Sequence, residues 1–222
     1  MNPTPLSAVI FDMDGVLIDS EPRWQIAELE VLGKLGVPIS LADTLQTTGL
    51  RVDQLVEFWY RRHPWSNYDN QATAQAIVDR VAAAILTDGE PLPGVVEALT
   101  ACQKRGLKIG LATSSPTQLI RAVMQKLAIG HYFDAFCSAE SLTWGKPHPE
   151  VYLNCAKTLQ VAPEHCIAVE DSFNGVIAAR AANMHTLVIP AVHESSQARW
   201  AAAHQQLEDL TQLNAYLQQC LG

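Results

Sequence analysis

The chain has 222 residues, 48% of them hydrophobic, with a formal net charge of −8. That size and hydrophobicity suit one large domain, or a domain carrying an insertion, and exclude a disordered chain. The acidic balance also excludes an electrostatic footprint for nucleic acid or an anionic membrane, both of which need clustered cations.

The first predicted element is a short buried strand, Ala8-Val9-Ile10-Phe11, which stops at Asp12-Met13-Asp14-Gly15. Side chains alternate along a strand, so Asp12 and Asp14 share a side if the chain stays extended, and Gly15 permits a turn that brings backbone close to a ligand. Two carboxylates about 4 Å apart repel by roughly 4 kcal/mol at an effective dielectric near 20, so they must share a proton, bind a cation or separate. A hard divalent cation with oxygen ligands resolves that conflict, and Mg²⁺ is the natural choice. Alone, such a pair is more often a turn that caps a helix than a catalytic site.

Residues 16–20 exit the strand. Helical spacing follows over Pro22 to Leu35, and further helices are predicted over Ser40 to Gln46, Val52 to Arg62 and Asn70 to Leu86, punctuated by Pro38, Gly49, His63-Pro64 and Asp88-Gly89. Residues 19–90 therefore read as an all-helical insertion. Pro91-Leu92-Pro93-Gly94 then opens a helix reaching Arg105. Strands over 108–112, 135–137, 167–169 and 186–189 alternate with helices over 116–127, 149–159 and 174–182, and an amphipathic helix is expected over 207–221. This rhythm predicts an α/β fold, a Rossmann-like parallel sheet formed by residues 1–18 and 91–222. Ligands of such sheets gather beyond the carboxyl ends of the strands. Asp12, Thr113 and Asp171 all fall there.

The five cysteines, Cys102, Cys137, Cys155, Cys166 and Cys220, include no C-x-x-C pair and read as reduced thiols, which points to the cytoplasm. Residues 1–5 carry no basic leader, and no apolar run is long enough to span a bilayer.

Three later pieces complete a pattern begun by Asp12 and Asp14. The second strand ends in Thr113-Ser114-Ser115, Lys146-Pro147 follows, and Cys166-Ile167-Ala168-Val169 ends in Glu170-Asp171-Ser172. In this order the four motifs resemble those of the haloacid dehalogenase superfamily of phosphohydrolases: D-x-D, Thr or Ser, Lys, and an acidic pair. The stretch from Ile10 to Pro22 is similar to that of its sugar-phosphate phosphatases, especially the bacterial 2-deoxyglucose-6-phosphatase and hexitol phosphatase group.

The resemblance implies a Mg²⁺-dependent phosphatase that hydrolyses small phosphorylated sugars or sugar alcohols, such as 2-deoxyglucose 6-phosphate, through an aspartyl-phosphate. It implies that Asp12 is the nucleophile and Asp14 the general acid and base. Met13, Thr113, Ser114 and Lys146 would bind the phosphoryl group together with both aspartates. Asp12, the Asp14 carbonyl and Asp171 would hold Mg²⁺, while Glu170 would coordinate directly, act through water or pair with Lys146. The helical insertion would be a cap. Arg51 is its best candidate for gripping a second polar group, and Trp24, Trp59, Tyr60, Trp65 and Tyr68 offer either sugar-stacking surfaces or core packing. Ser115 reads as part of a surface turn, Ser172 as a helix cap, and Asp19 and Glu21 as exposed charges near the hinge. Two alternatives remain: a beta-phosphoglucomutase-type phosphosugar mutase, which typically carries a cap histidine where this chain has Trp24, and a catalytically silent sugar-phosphate-binding module. A monomer is compatible with all of these.

Overall fold

The computed structural model describes residues 6–221; residues 1–5, read above as lacking a leader, and residue 222 lie outside it. Six strands form one parallel sheet: β1 (Ala8–Phe11), β2 (Lys108–Thr113), β3 (Ala135–Ser138), β4 (Cys166–Glu170), β5 (His185–Val188) and β6 (Gln205–Gln206), in the order β3-β2-β1-β4-β5-β6. Central β1 is wholly buried, as expected for a parallel strand covered on both faces. Its register sets Phe11 opposite Leu111 of β2 and Val169 of β4.

Alternation divides β1 between two apolar layers. Val9 and Phe11 join one layer with Ile109 and Leu111, whereas Ala8 and Ile10 join the other with Tyr152 and Cys155. The next residue in that alternation on the second face is Asp12. Its amide donates to the Val169 carbonyl at 2.9 Å, which carries β1 pairing one step beyond the strand.

Four helices follow β1 before the chain returns to the core: α1 (Glu21–Lys34), α2 (Leu41–Thr44), α3 (Val52–Arg62) and α4 (Asn70–Asp88). Pro22 sits in the first turn of α1, where its missing N–H costs nothing, and Asp69 caps α4 by accepting from the Ala72 amide. The two chain crossings into this helical segment pair with each other. Ile18 bridges Asp14 and Pro91, and the Leu92 amide donates to the Leu17 carbonyl at 3.1 Å. The core helices are α5 (Val95–Lys104), α6 (Thr117–Leu127), α7 (Glu150–Leu159), α8 (Phe173–Ala181) and α9 (Leu213–Leu221). Helix α4 packs on α1, α3 and core helix α6, while α7 covers β1, β2 and β3.

Three elements depart from expectation for local reasons. The helix predicted over 40–46 shortens to one turn because Ser40 and Asp43 close a reciprocal cap, and Thr44 and Thr47 then bond back to carbonyls three residues earlier. Strand β6 consists of two exposed glutamines, with no apolar alternation to announce it. The last helix begins at Leu213 because Asp209 caps a preceding 3₁₀ turn over Leu210–Gln212. Among the described residues no helix is long and apolar enough to cross a membrane, and the five cysteines are unpaired.

Candidate active site

A cavity opens between the carboxyl ends of the central strands and the helical segment. Its core wall includes Asp12, Asp14, Thr113, Ser114, Lys146 and Asp171, which brings six of the nine sequence-predicted site residues together. Lys146 leads into α7, the helix that packs on Asp12's side of the sheet. Its ammonium donates to Asp12 Oδ1 at 2.8 Å, to Glu170 Oε1 at 2.5 Å and to the Ala112 carbonyl at 3.0 Å. An ammonium so buried is tolerated only because it is paired and fully hydrogen-bonded.

Glu170 is entirely buried at the end of β4. The Tyr152 hydroxyl donates to the same Oε1 at 2.5 Å, while Oε2 accepts from the Ser172 hydroxyl at 3.1 Å and from the amides of Asp171 and Ser172 at 3.3 Å. Of the three roles open to Glu170 in the sequence, pairing with Lys146 is the one observed. Ser172 also accepts from the Gly175 amide, the expected helix cap.

Electrostatics at this corner call for more positive charge than Lys146 supplies. Burial pushes Asp12 up to about 7, against the pull of Lys146. Burial also raises Asp171 well above the usual carboxylate range, with Asp12 and Glu170 adding repulsion. Burial works to lower Lys146, yet the carboxylates of Asp12 and Glu170 prevail and raise it. Carboxylate oxygens of Asp12, Glu170 and Asp171 lie within 4.8 Å of one another. Two buried acids and half-buried Asp171 against one ammonium, all with hard oxygen donors, fit Mg²⁺ better than a softer ion.

Two glycines make this crowding possible. Gly15 has φ +72°, and a Cβ there would sit 1.9 Å from Asp171 Oδ2; a Cβ on Gly175 would sit 1.9 Å from Glu170 Cδ.

Asp14 occupies the turn after Asp12. Its Oδ1 accepts from the Ser20 hydroxyl at 2.5 Å and the Trp24 indole N–H at 3.3 Å, and its Oδ2 accepts from the Ser115 hydroxyl at 2.7 Å. Ser115 is thus buried in the site rather than exposed in a surface turn, because its amide bonds Thr113 Oγ1 at 3.0 Å and folds the turn inward. The Met13 side chain is buried in the core and is absent from the cavity wall, so only its backbone remains available to a phosphate.

Arg51 departs from its expected role. Its guanidinium forks onto Asp53 at 2.6 and 2.8 Å and donates to the Leu142 and Ala139 carbonyls at 2.6 and 3.2 Å, fastening the start of α3 to the loop after β3. An adjacent carboxylate and two loop carbonyls satisfy the planar fork outside the cavity. Trp24 does line the cavity, whereas Trp59 is buried and Tyr60, Trp65 and Tyr68 stack against one another away from it. Asp19 is exposed as expected, but Glu21 turns onto the cavity wall and accepts from the Thr48 hydroxyl at 2.8 Å.

Sequence reasoning missed Tyr152, Ser20, Glu28 and Thr47. Tyr152 lies between Val151 and Leu153 and reads as core; its spacing six residues after Lys146 was the available signal. Glu28 carries only a weak one, an acid on the apolar side of a helix.

Residues 6–183, from β1 past α8, match the family model for haloacid dehalogenase-like hydrolases. Hexitol phosphatase B of Escherichia coli (strain K12) is 44% identical over 214 residues, covering 96% of each chain. Fructose-1-phosphate phosphatase YqaB of the same strain is 32% identical over 178 residues, covering 80% of this chain and 93% of its own. Among solved structures, beta-phosphoglucomutase (pgmB) from Clostridium difficile superposes with a TM-score of 0.83 at 28% identity over 97% of both chains. A match spanning strands β1 to β4, together with relatives aligned almost end to end, places this chain in the haloacid dehalogenase-like hydrolase family, as a phosphatase.

Proposed function

We propose that the protein is a Mg²⁺-dependent phosphatase of sugar phosphates and sugar-alcohol phosphates, working through an aspartyl-phosphate on Asp12. The observation that carries this reading is the buried Asp12–Lys146–Glu170 chain beside Asp171 at the carboxyl end of the sheet. The likeness to hexitol phosphatase B supports the substrate class.

In the first step an Asp12 carboxylate oxygen attacks phosphorus and the bond to the leaving sugar oxygen breaks, while Asp14 donates the proton that oxygen needs. In the second, water attacks the same phosphorus, Asp14 takes its proton, the acyl-phosphate bond to Asp12 breaks, and inorganic phosphate leaves. Lys146 holds Asp12 in position and offsets charge on the phosphoryl group, Glu170 and Tyr152 fix Lys146, and Thr113 with the Ser114 amide donates to the phosphoryl oxygens. Asp12 and Asp171 would hold Mg²⁺ with the Asp14 carbonyl; Glu170, whose oxygens already accept protein hydrogen bonds, supports them from behind. When bound, the ion screens the charge between nucleophile and phosphoryl group.

Residues 19–90 act as a cap that excludes water and selects the leaving group. Trp24 favours hydrolysis over mutase chemistry, because an indole N–H donates but cannot accept a proton from a second sugar hydroxyl. The unpaired cysteines support a cytoplasmic location.

The test is phosphate release from a panel of sugar and hexitol phosphates with Mg²⁺ and after its removal by chelation. Metal-dependent release is expected. Isomerisation of the sugar phosphate without release would favour the mutase, and neither activity would favour a silent binder.

A further inference from the structure

The wall of the cavity facing the catalytic aspartates contains two carboxylates with unequal oxygens. Glu28 is only 3% exposed, and both of its hydrogen bonds, from the Thr47 hydroxyl at 2.9 Å and the Trp59 indole at 3.2 Å, fall on Oε2. Glu21 likewise receives both of its hydrogen bonds, from Thr48 at 2.8 Å and Gln25 at 3.2 Å, on Oε1. Each residue lines the cavity, and each keeps one oxygen without a donor among the described residues. No buried side-chain oxygen or nitrogen among the described residues lacks a partner, so these two oxygens are open to the cavity, where an entering donor can reach them.

No base balances these acids. Among the residues that line the cavity, Lys146 is the sole lysine, arginine or histidine, and its ammonium is engaged by Asp12 and Glu170. The Arg51 fork is closed on Asp53.

Resting on the phosphatase reading above, we infer that Glu21 and Glu28 are specificity-determining residues: their free oxygens accept hydrogen bonds from hydroxyls of a neutral polyol leaving group, and the wall they form offers no counter-charge to leaving groups that carry a second negative charge. Hydroxyls on a sugar or hexitol donate to the free oxygens. A carboxylate or second phosphate at the same place would meet two acidic side chains and no cation to offset its charge. Discrimination follows from the groups left unpaired by the wrong substrate, which is the strong form of hydrogen-bond selectivity.

The experiment compares kcat/KM of wild type, Glu21→Gln, Glu28→Gln and the double variant, with Mg²⁺, on a hexitol phosphate, p-nitrophenyl phosphate, 2-phosphoglycolate and a hexose bisphosphate. In wild type the hexitol phosphate should exceed both doubly anionic substrates. In the double variant the ratio of hexitol phosphate to p-nitrophenyl phosphate should fall about tenfold or more, mainly through KM, and the ratio of 2-phosphoglycolate to hexitol phosphate should rise by about as much. Ratios that stay unchanged would overturn the inference, as would parallel loss on every substrate, which marks a merely structural role. If the Glu28 variants do not fold, partly exposed Glu21 provides the same test alone. Wild type that releases phosphate from none of these esters would overturn the phosphatase reading itself. Wild type that releases it but prefers phosphoglycolate or the bisphosphate would leave that reading intact and overturn only the role given to Glu21 and Glu28.

Discussion

The two walls of the cavity handle charge in opposite ways. On the core wall, Lys146 bridges Asp12 and Glu170 at 2.8 and 2.5 Å, so an ammonium stands between two carboxyl groups on strand-borne backbone. On the helical wall, Glu21 and Glu28 receive only neutral donors: Thr48 and Gln25, Thr47 and Trp59. The contrast suits the two halves of a phosphate ester. A charged phosphoryl group needs local positive potential on a rigid platform, whereas a hydroxylated leaving group needs acceptors on a surface that can vary between proteins.

The hardest way to break this division is to remove Asp12, the proposed nucleophile. Asp12→Asn should lower kcat by at least about a thousandfold with the fold retained by circular dichroism, and no labelled phosphate should be trapped on the protein. Trapped label on that variant would remove Asp12 from its role.

Lys146→Met attacks the compensation on the core wall. Turnover should fall about a hundredfold or more, and urea denaturation should register a loss of about 3 kcal/mol, because two buried acids lose their cation. Turnover and folding are coupled here because Lys146 is buried between both acids. Near-wild-type turnover would show that Asp12 is oriented by something else.

Gly15→Ala tests the close approach between the β1 turn and Asp171. With φ +72° and a Cβ 1.9 Å from Asp171 Oδ2, the substitution should cost about 2 kcal/mol and raise the Mg²⁺ concentration needed for half-maximal activity. An unchanged metal requirement would separate Gly15 from the proposed ion site.

On the helical wall the expected effect is on stability and depends on pH. Burial holds Glu28 at about 7, above an ordinary value of 4.5. The folded protein therefore keeps a proton that the unfolded chain releases. The resulting stability is fully present below about pH 4.5 and is lost as pH rises through about 7. Glu28→Gln should remove this dependence, so the variant gains about 1–3 kcal/mol relative to wild type between about pH 5 and about pH 8 in parallel denaturation curves. A constant difference across that range would mean that Glu28 is no more buried from water in solution than an ordinary carboxylate.

Much of the catalytic corner was legible in the chain because strand ends announce themselves. The apolar run Ala8–Phe11 stops at Asp12, and the run into Glu170-Asp171 stops the same way, so local pattern placed these acids at one edge of a parallel sheet. The helical segment was legible as helices but not as a surface. Periodicity found α1, α3 and α4, yet which of Glu21, Glu28 and Arg51 would face the cavity depended on contacts between elements distant in sequence.

The sequence alone therefore determined the α/β class, the strand ends and the order of their charged residues, since each is a property of short windows in which burial and side-chain alternation act directly. Only the tertiary structure decided that Tyr152 and Ser115 join the site, that Arg51 is diverted to Asp53 and the loop after β3, and that Glu21 and Glu28 turn toward the aspartates. Those outcomes depend on hydrogen-bond competition among groups brought together by packing, and a long polar side chain goes wherever the folded chain leaves a partner unsatisfied.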